Sequence, residues 1–166
     1  MDLNPYARNL DGRPLDTILS TTPTELNQLA ETIGPERLST SPAPGKWSPA
    51  QIIAHLADCE LAFGFRLRQT LAQDPTRYPG EAPHTIQPFD QDRWAVSYHK
   101  ITAQHALAAF TALREWNLLL IRNASPSSLR IPVTHPERGS MTFQTIVETM
   151  AGHDLNHLQQ LKKLTA

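Results

Sequence analysis

The chain has 166 residues, a formal net charge of −1, 40% hydrophobic residues and 19% charged residues. That length suits one domain, residues 1–166, with its own core. The near-neutral charge argues against a nucleic-acid partner, which calls for a basic stripe, and no stretch approaches the roughly 18 apolar residues of a membrane span. The opening residues, MDLNPYARNL, lack the apolar core of a signal peptide. Cys59 is the single cysteine, so no intrachain disulfide can form. Both points lead to the expectation of a cytoplasmic protein. Proline is in excess, 14 of 166 residues, against a usual ~5%. Such a chain can be helical if its prolines fall between helices.

Taken in order, a short apolar piece at 15–19 can form a turn of helix. Residues 23–33 then read as a helix with Thr22 as cap and Pro23 in the first turn, where a missing N–H costs nothing. Leu26, Leu29, Ala30 and Ile33 share one face, and Gly34-Pro35 ends it. Residues 35–47 are loop-like. Ser48-Pro49-Ala50-Gln51 is a strong helix start, with Ser48 as cap, Pro49 at the first position and Gln51 closing a capping box. This helix is expected to run to about Ala72, before Asp74-Pro75. Residues 74–89 carry four prolines and no periodicity, and connections of that length are often functional.

A third helix is expected from about Asp90 to Asn123, with Trp94, Tyr98, Ile101, Ala108, Ala112, Trp116 and Leu119 at helical spacing. It would be roughly 50 Å long, long enough to bend or break. Residues 124–141 read as another loop, in which the alternation of Leu129, Ile131 and Val133 also fits a brief strand. The last helix starts at Phe143, capped by Thr142, with Ile146, Val147, Met150, Leu161 and Leu164 on its buried side. Four apolar stripes joined by proline-rich loops predict an all-α protein, an antiparallel four-helix bundle.

The chemistry lies in Gly152-His153-Asp154-Leu155-Asn156-His157. Histidines four apart on a helix present both imidazoles on one face, a bidentate metal-binding spacing. At ~100° per residue they point with Ile146, Met150 and Leu161. They therefore interrupt the buried stripe, where unpartnered imidazoles cost free energy. His55 stands at the edge of the second long helix's apolar face. Were that helix to neighbour the last, three imidazoles would converge, and three histidines with an open fourth position is a catalytic zinc arrangement. Imidazole also suits nickel, iron and copper.

Other residues have plainer readings. His105 lies on an apolar stripe and reads as a hydrogen-bonded core histidine. His84, His99 and His135 read as solvated. Asp58, Glu60 and Asp154 flank the proposed ligands. Each can hold a ligand's second ring N–H, serve as a general base, or simply pair with Arg66 or Arg68. Glu60 and Asp154 are the candidate catalytic residues. Cys59 reads as a small buried hydrophobe, with a thiolate ligand as the alternative. Trp47 and Trp94 read as anchors that pack loops on the bundle.

Gly45-Lys46-Trp47-Ser48, then His55-Leu56-Ala57-Asp58-Cys59-Glu60, then Gly152-His153-Asp154 through His157 and Gln160 together resemble the DinB-like superfamily. Phe89-Asp90-Gln91-Asp92-Arg93-Trp94 resembles the start of that family's third helix. The match spans roughly residues 15–164. The resemblance implies a four-helix bundle in which His55, His153 and His157 hold one divalent metal, zinc first, with nickel or iron as alternatives. The superfamily includes bacillithiol transferases, mycothiol-dependent maleylpyruvate isomerase and proteins described as metal-dependent hydrolases. The leading expectation is a metal-dependent thiol S-transferase acting on small electrophiles, with a low-molecular-weight thiol as partner. A metal-dependent hydrolase and a non-catalytic, metal-stabilised bundle are the rivals. Homodimers are common in the superfamily, so a homodimer is also expected.

Overall fold

The computed structural model describes residues 3–165. Its helices are α1 (Leu15–Ile33), the single turn α2 (Pro35–Leu38), α3 (Pro49–Ala72), the single turn α4 (Gln91–Trp94), α5 (Ala103–Arg122) and α6 (Phe143–Lys162). A hairpin of β1 (Pro132–His135) and β2 (Gly139–Thr142) precedes α6. The expected four-helix bundle is the fold, and α1, α3, α5 and α6 are its four long helices.

Helix α1 corrects the sequence reading, because it runs unbroken through Pro23. Thr22 is no cap: it is fully buried, and its Oγ1 donates to the Ile18 carbonyl at 2.8 Å. An interior proline ordinarily costs ~3 kcal/mol, in part through the lost i→i−4 bond. Here the carbonyl left without its helical donor is that of Leu19, and the Arg114 guanidinium on α5 donates to it at 2.9 Å. A long-range donor replaces the one that Pro23 lacks.

Helix α3 forms as its sequence directs. The Gln51 N–H donates to Ser48 Oγ, and the Ser48 N–H donates to Gln51 Oε1 at 2.8 Å. The expected third helix is instead broken into α4, a 3₁₀ stretch (Ala95–Lys100) and α5. The break follows from two local competitors. Tyr98 turns inward, almost fully buried, and its hydroxyl donates to Asp58 Oδ2 at 2.7 Å. Thr102 then caps a new helix by accepting the His105 N–H, an alternative to helical bonding that short hydroxyl side chains offer. The strand reading of 124–141 is realised further along than the Leu129–Val133 alternation, with Val133 paired to Met141 and both buried. The 74–89 segment joins this hairpin: Ile86 N–H donates to the Thr134 carbonyl and Thr134 N–H to the His84 carbonyl, each at 2.7 Å. Thr142 opens α6 in a capping box with Thr145.

Packing places α1 against α5 and α6, and α3 against the same two. Helices consecutive in the chain, α1 and α3, therefore lie across a diagonal, as do α5 and α6. Residue pairings give the directions. Asp16 meets Arg122 while Arg114 reaches Leu19, so α1 and α5 are antiparallel. His55 meets His157 while Phe63 meets His153, so α3 and α6 are antiparallel. Glu60 meets Arg114 and Arg68 meets Asn117, so α3 and α5 run the same way. The chain must therefore travel back along the bundle between α3 and α5, which is why that connection is so long.

Candidate metal centre

The diagonal topology makes α3 and α6 neighbours, and this brings the three histidines together. His55, His153 and His157 are all buried, and each offers a ring nitrogen within 4.8 Å of the other two. His153 Nε2 is 3.1 Å from His55 Nε2 and 3.1 Å from His157 Nε2. His157 Nδ1 lies 3.0 Å from Gln160 Oε1. That oxygen can only accept, so Nδ1 carries the proton and Nε2 presents its lone pair to the cluster.

This geometry fits a metal ion. Nitrogens ~2.0–2.1 Å from a tetrahedral zinc are about 3.3–3.4 Å apart, close to the two contacts observed. Hydrogen bonding alone does not satisfy the cluster. A proton on His153 Nε2 can serve the lone pair of His157 or that of His55, but one N–H cannot make two linear bonds, so one lone pair is left unmet. A cation takes all three lone pairs. The histidines are also held in the neutral, ligating form. Burial, reinforced by His157, lowers His55 to about 4. Burial, with His157, His55 and Arg114, holds His153 well below the ordinary histidine value. Burial also lowers His157, against the opposing bond to Gln160.

The two candidate carboxylates turn elsewhere. Glu60 and Asp154 are buried, and Arg114, fully buried on α5, donates to Glu60 Oε1 at 2.6 Å and to Asp154 Oδ2 at 2.7 Å. Asn117 adds a bond to Glu60 Oε2 at 3.0 Å. The carboxylates thus meet neither a histidine ring nitrogen nor Arg66 or Arg68. Arg114 is a functional residue that sequence reasoning misses, although Ala106, Phe110, Arg114 and Asn117 fall at helical spacing on the buried side of α5. Arg114 joins α5 to residues immediately after Cys59 on α3 and His153 on α6, the two helices that bear the clustered histidines. Burial of Asp154 outweighs the pull of Arg114 and keeps its carboxyl above the ordinary value.

Cys59 is buried, with Sγ 3.5 Å from His55 Nε2. Burial and the nearby carboxylates push its thiol well up, so it stays protonated. His105 is not a core histidine: it sits exposed in the first turn of α5, with Nδ1 2.8 Å from Thr102 Oγ1. His99 is exposed and His84 half-buried. His135 overturns its solvated reading, because the hairpin folds over the bundle and buries it.

Above the histidines lies a cavity of about 200 Å³, with His55, His153 and Cys59 among its lining. Phe63 and Phe89 also line it, and Phe89 comes from the end of the 74–89 segment. Tyr6, outside every element read from the sequence, stands edge-on to His153 at 5.2 Å. It gets there because Gly152 has no side chain: a Cβ at that position would lie 2.6 Å from the Tyr6 carbonyl oxygen. Trp47 packs on His55 at 5.0 Å, in keeping with its reading as an anchor.

Comparison with known proteins agrees with the fold. A family model described as the DinB superfamily matches residues 18–161. The chain is 30% identical over 130 residues to a protein of Oceanobacillus iheyensis provisionally named a metal-dependent hydrolase, covering 78% of this chain and 71% of the relative. It is 23% identical over 151 residues to YfiT of Bacillus subtilis, a provisionally named metal-dependent hydrolase, covering 89% and 80%. The solved structure of YfiT, described as a probable metal-dependent hydrolase with an unusual four-helix bundle topology, superposes with a TM-score of 0.78 at 21% identity, covering 90% of this chain and 83% of that one. The match across residues 18–161 shows that this chain belongs to the DinB superfamily.

Proposed function

We propose that this protein is a metal-dependent enzyme acting on a small molecule, with His55, His153 and His157 as the ligands of one divalent ion. The observation that carries the reading is the convergence of three buried imidazoles, two of which, His55 and His153, line a cavity. A divalent ion held there supplies Lewis acidity and lowers the pKa of a coordinated water or thiol towards neutrality. The protein's own groups do the rest. Gln160 fixes the His157 tautomer, Phe63 and Phe89 give the cavity an apolar wall, and the Arg114 cluster holds α3 and α6 in register.

Hydrolysis is the reading favoured by the names of the relatives, which are called metal-dependent hydrolases. Thiol S-transfer is the alternative. The cavity of about 200 Å³ has room for a small substrate beside the centre, which either reaction needs. Zinc suits the three-imidazole donor set, and nickel or iron would fit it too.

The test is metal analysis of protein purified without a His tag and incubated with zinc or nickel. Wild type is expected to retain one equivalent per chain and His157→Ala none. Stoichiometric metal in His157→Ala would show that the ligands are wrong. Turnover of model esters by the loaded protein would then separate hydrolysis from thiol-dependent consumption of model electrophiles. A loaded protein inert to both would be a metal-stabilised bundle.

A further inference from the structure

The metal reading leaves unexplained two cations that share the cavity with the histidines. Arg66 of α3 and Arg138 of the β1–β2 turn both line it, and both are half-buried. Neither forms an ion pair with a carboxylate among the described residues. Arg66 gives one N–H to the Gln87 carbonyl at 3.2 Å and rests against Phe63 and Phe89, whose centroids lie 5.8 and 5.7 Å from its guanidinium carbon. Its other donors are free, and the Arg138 guanidinium has no side-chain hydrogen bond among the described residues.

The two arginines also feel each other. Burial lowers Arg66, with Arg138 adding to the effect. Holding like charges in a half-dry pocket is unfavourable unless something compensates them. Glu137, the one carboxylate among the described residues that line the cavity, makes no ion pair with either. His135 adds a third donor. Its Nδ1 accepts the Glu137 N–H at 3.2 Å, so in the neutral ring the proton sits on Nε2. Burial, then Arg138 and Arg66, keep that ring neutral. Guanidinium forks match planar or tetrahedral oxyanions in a way that a lone ammonium does not.

We infer that the cavity takes its substrate by an oxyanion group, a carboxylate or a phosphate ester, held between Arg66 and Arg138 above the three-histidine centre. The inference deepens the metal-dependent reading and rests on it for the reaction, but the binding itself needs no metal. The cavity would present the anion to the arginines and the remainder of the molecule to the histidine floor.

The test uses the full chain stripped of metal by a chelator, so that no ion captures the probe. Glutarate, methyl phosphate and the uncharged glutaramide are titrated by calorimetry and by NMR of the arginine Nε–Hε resonances. Glutarate or methyl phosphate is expected to saturate, shifting the signals of Arg66 and Arg138 but not of the exposed Arg130, and the tighter of the two identifies the oxyanion. Glutaramide is expected not to bind. Arg138→Gln and Arg66→Gln are each expected to weaken binding about tenfold or more, and Arg66→Lys to weaken it less. No saturable binding of either anion, or binding undiminished in both glutamine variants, overturns the inference. Should Arg66→Gln fail to fold, Arg138→Gln and the wild-type arginine resonances still decide. Anion binding in a protein that never retains metal would sink the enzyme reading alone, and metal retention without anion binding would sink this one alone.

Discussion

Arg114→Leu is the most informative single change to the scaffold. The guanidinium is fully buried and is the shared partner of the buried Glu60 and Asp154. Removing one partner of a buried ion pair costs about 3–5 kcal/mol, because the charge left behind is uncompensated. The Leu19 carbonyl, already without its helical donor because of Pro23, loses Arg114 as well. Against a total stability of about 5–15 kcal/mol, that is a large share, and it corresponds to roughly 6–20 °C in Tm for a chain of this size.

The loss has a pH signature. Burial already raises the Asp154 carboxyl above its ordinary value, with Arg114 pulling it down. Deleting Arg114 raises it further. A carboxyl whose folded pKa exceeds its unfolded one favours folding least once pH has risen through both values. The deficit of Arg114→Leu is therefore smallest in acid and grows as pH rises through the carboxylate range. Urea unfolding followed by far-UV circular dichroism across that range measures it. Replacing Glu60, Arg114 and Asp154 together by leucine is expected to cost less than Arg114→Leu alone, since no charge is stranded. The reasoning fails if Arg114→Leu unfolds within about 0.5 kcal/mol of wild type, the range of an unremarkable surface change, or if its deficit does not change with pH.

How much of this was legible in the sequence depended on how far the relevant contacts reach. The starts of α3 and α6 could be read because a cap is local: Ser48 with Gln51 and Thr142 with its neighbouring backbone act within three residues. His153 and His157 could be read because one helical turn relates them. His55 was a candidate whose convergence required α3 beside α6, and the diagonal order of the bundle leaves no local mark. The same holds for α1. Thr22-Pro23 has the composition of a helix start, and the helix runs through it with the Leu19 carbonyl served by a guanidinium 95 residues further along the chain. Helix α5 begins late because Tyr98 finds Asp58 on another helix, while the periodicity of 90–123 reports only that these residues can be helical. Tyr6, Arg66, His135 and Arg138 come to the cavity from an N-terminal segment, a helix flank and a hairpin turn. Their roles follow from tertiary placement and not from spacing. Arg114 alone had a usable signal, a charge on the same stripe as Ala106 and Phe110.

The remaining expectations concern the site and its roof. Gln160→Ala removes the acceptor on His157 Nδ1; losing such a support typically costs 10–100-fold in metal affinity, and competition with a chromogenic chelator would show whether affinity is instead unchanged. Gly152→Ala places a Cβ 2.6 Å from the Tyr6 carbonyl oxygen, backbone that cannot swing aside, so a loss of about 1–3 kcal/mol and faster proteolysis before α1 are expected; equal protection would mean that the N-terminal segment is not packed as described. In metal-free protein the histidines set an acid limit. His55 has its folded value lowered from 6.5 to about 4, so the folded state binds fewer protons than the unfolded chain between those values. Its contribution is present in full above the unfolded value and is lost as pH falls from 6.5 towards 4, worth up to about 3 kcal/mol. His153 and His157 are lowered as well and act with the same sign. His55→Leu removes one of these terms, so its stability is expected to fall less steeply over that window than that of wild type. Equal slopes would mean that His55 is not held neutral by burial in the cluster.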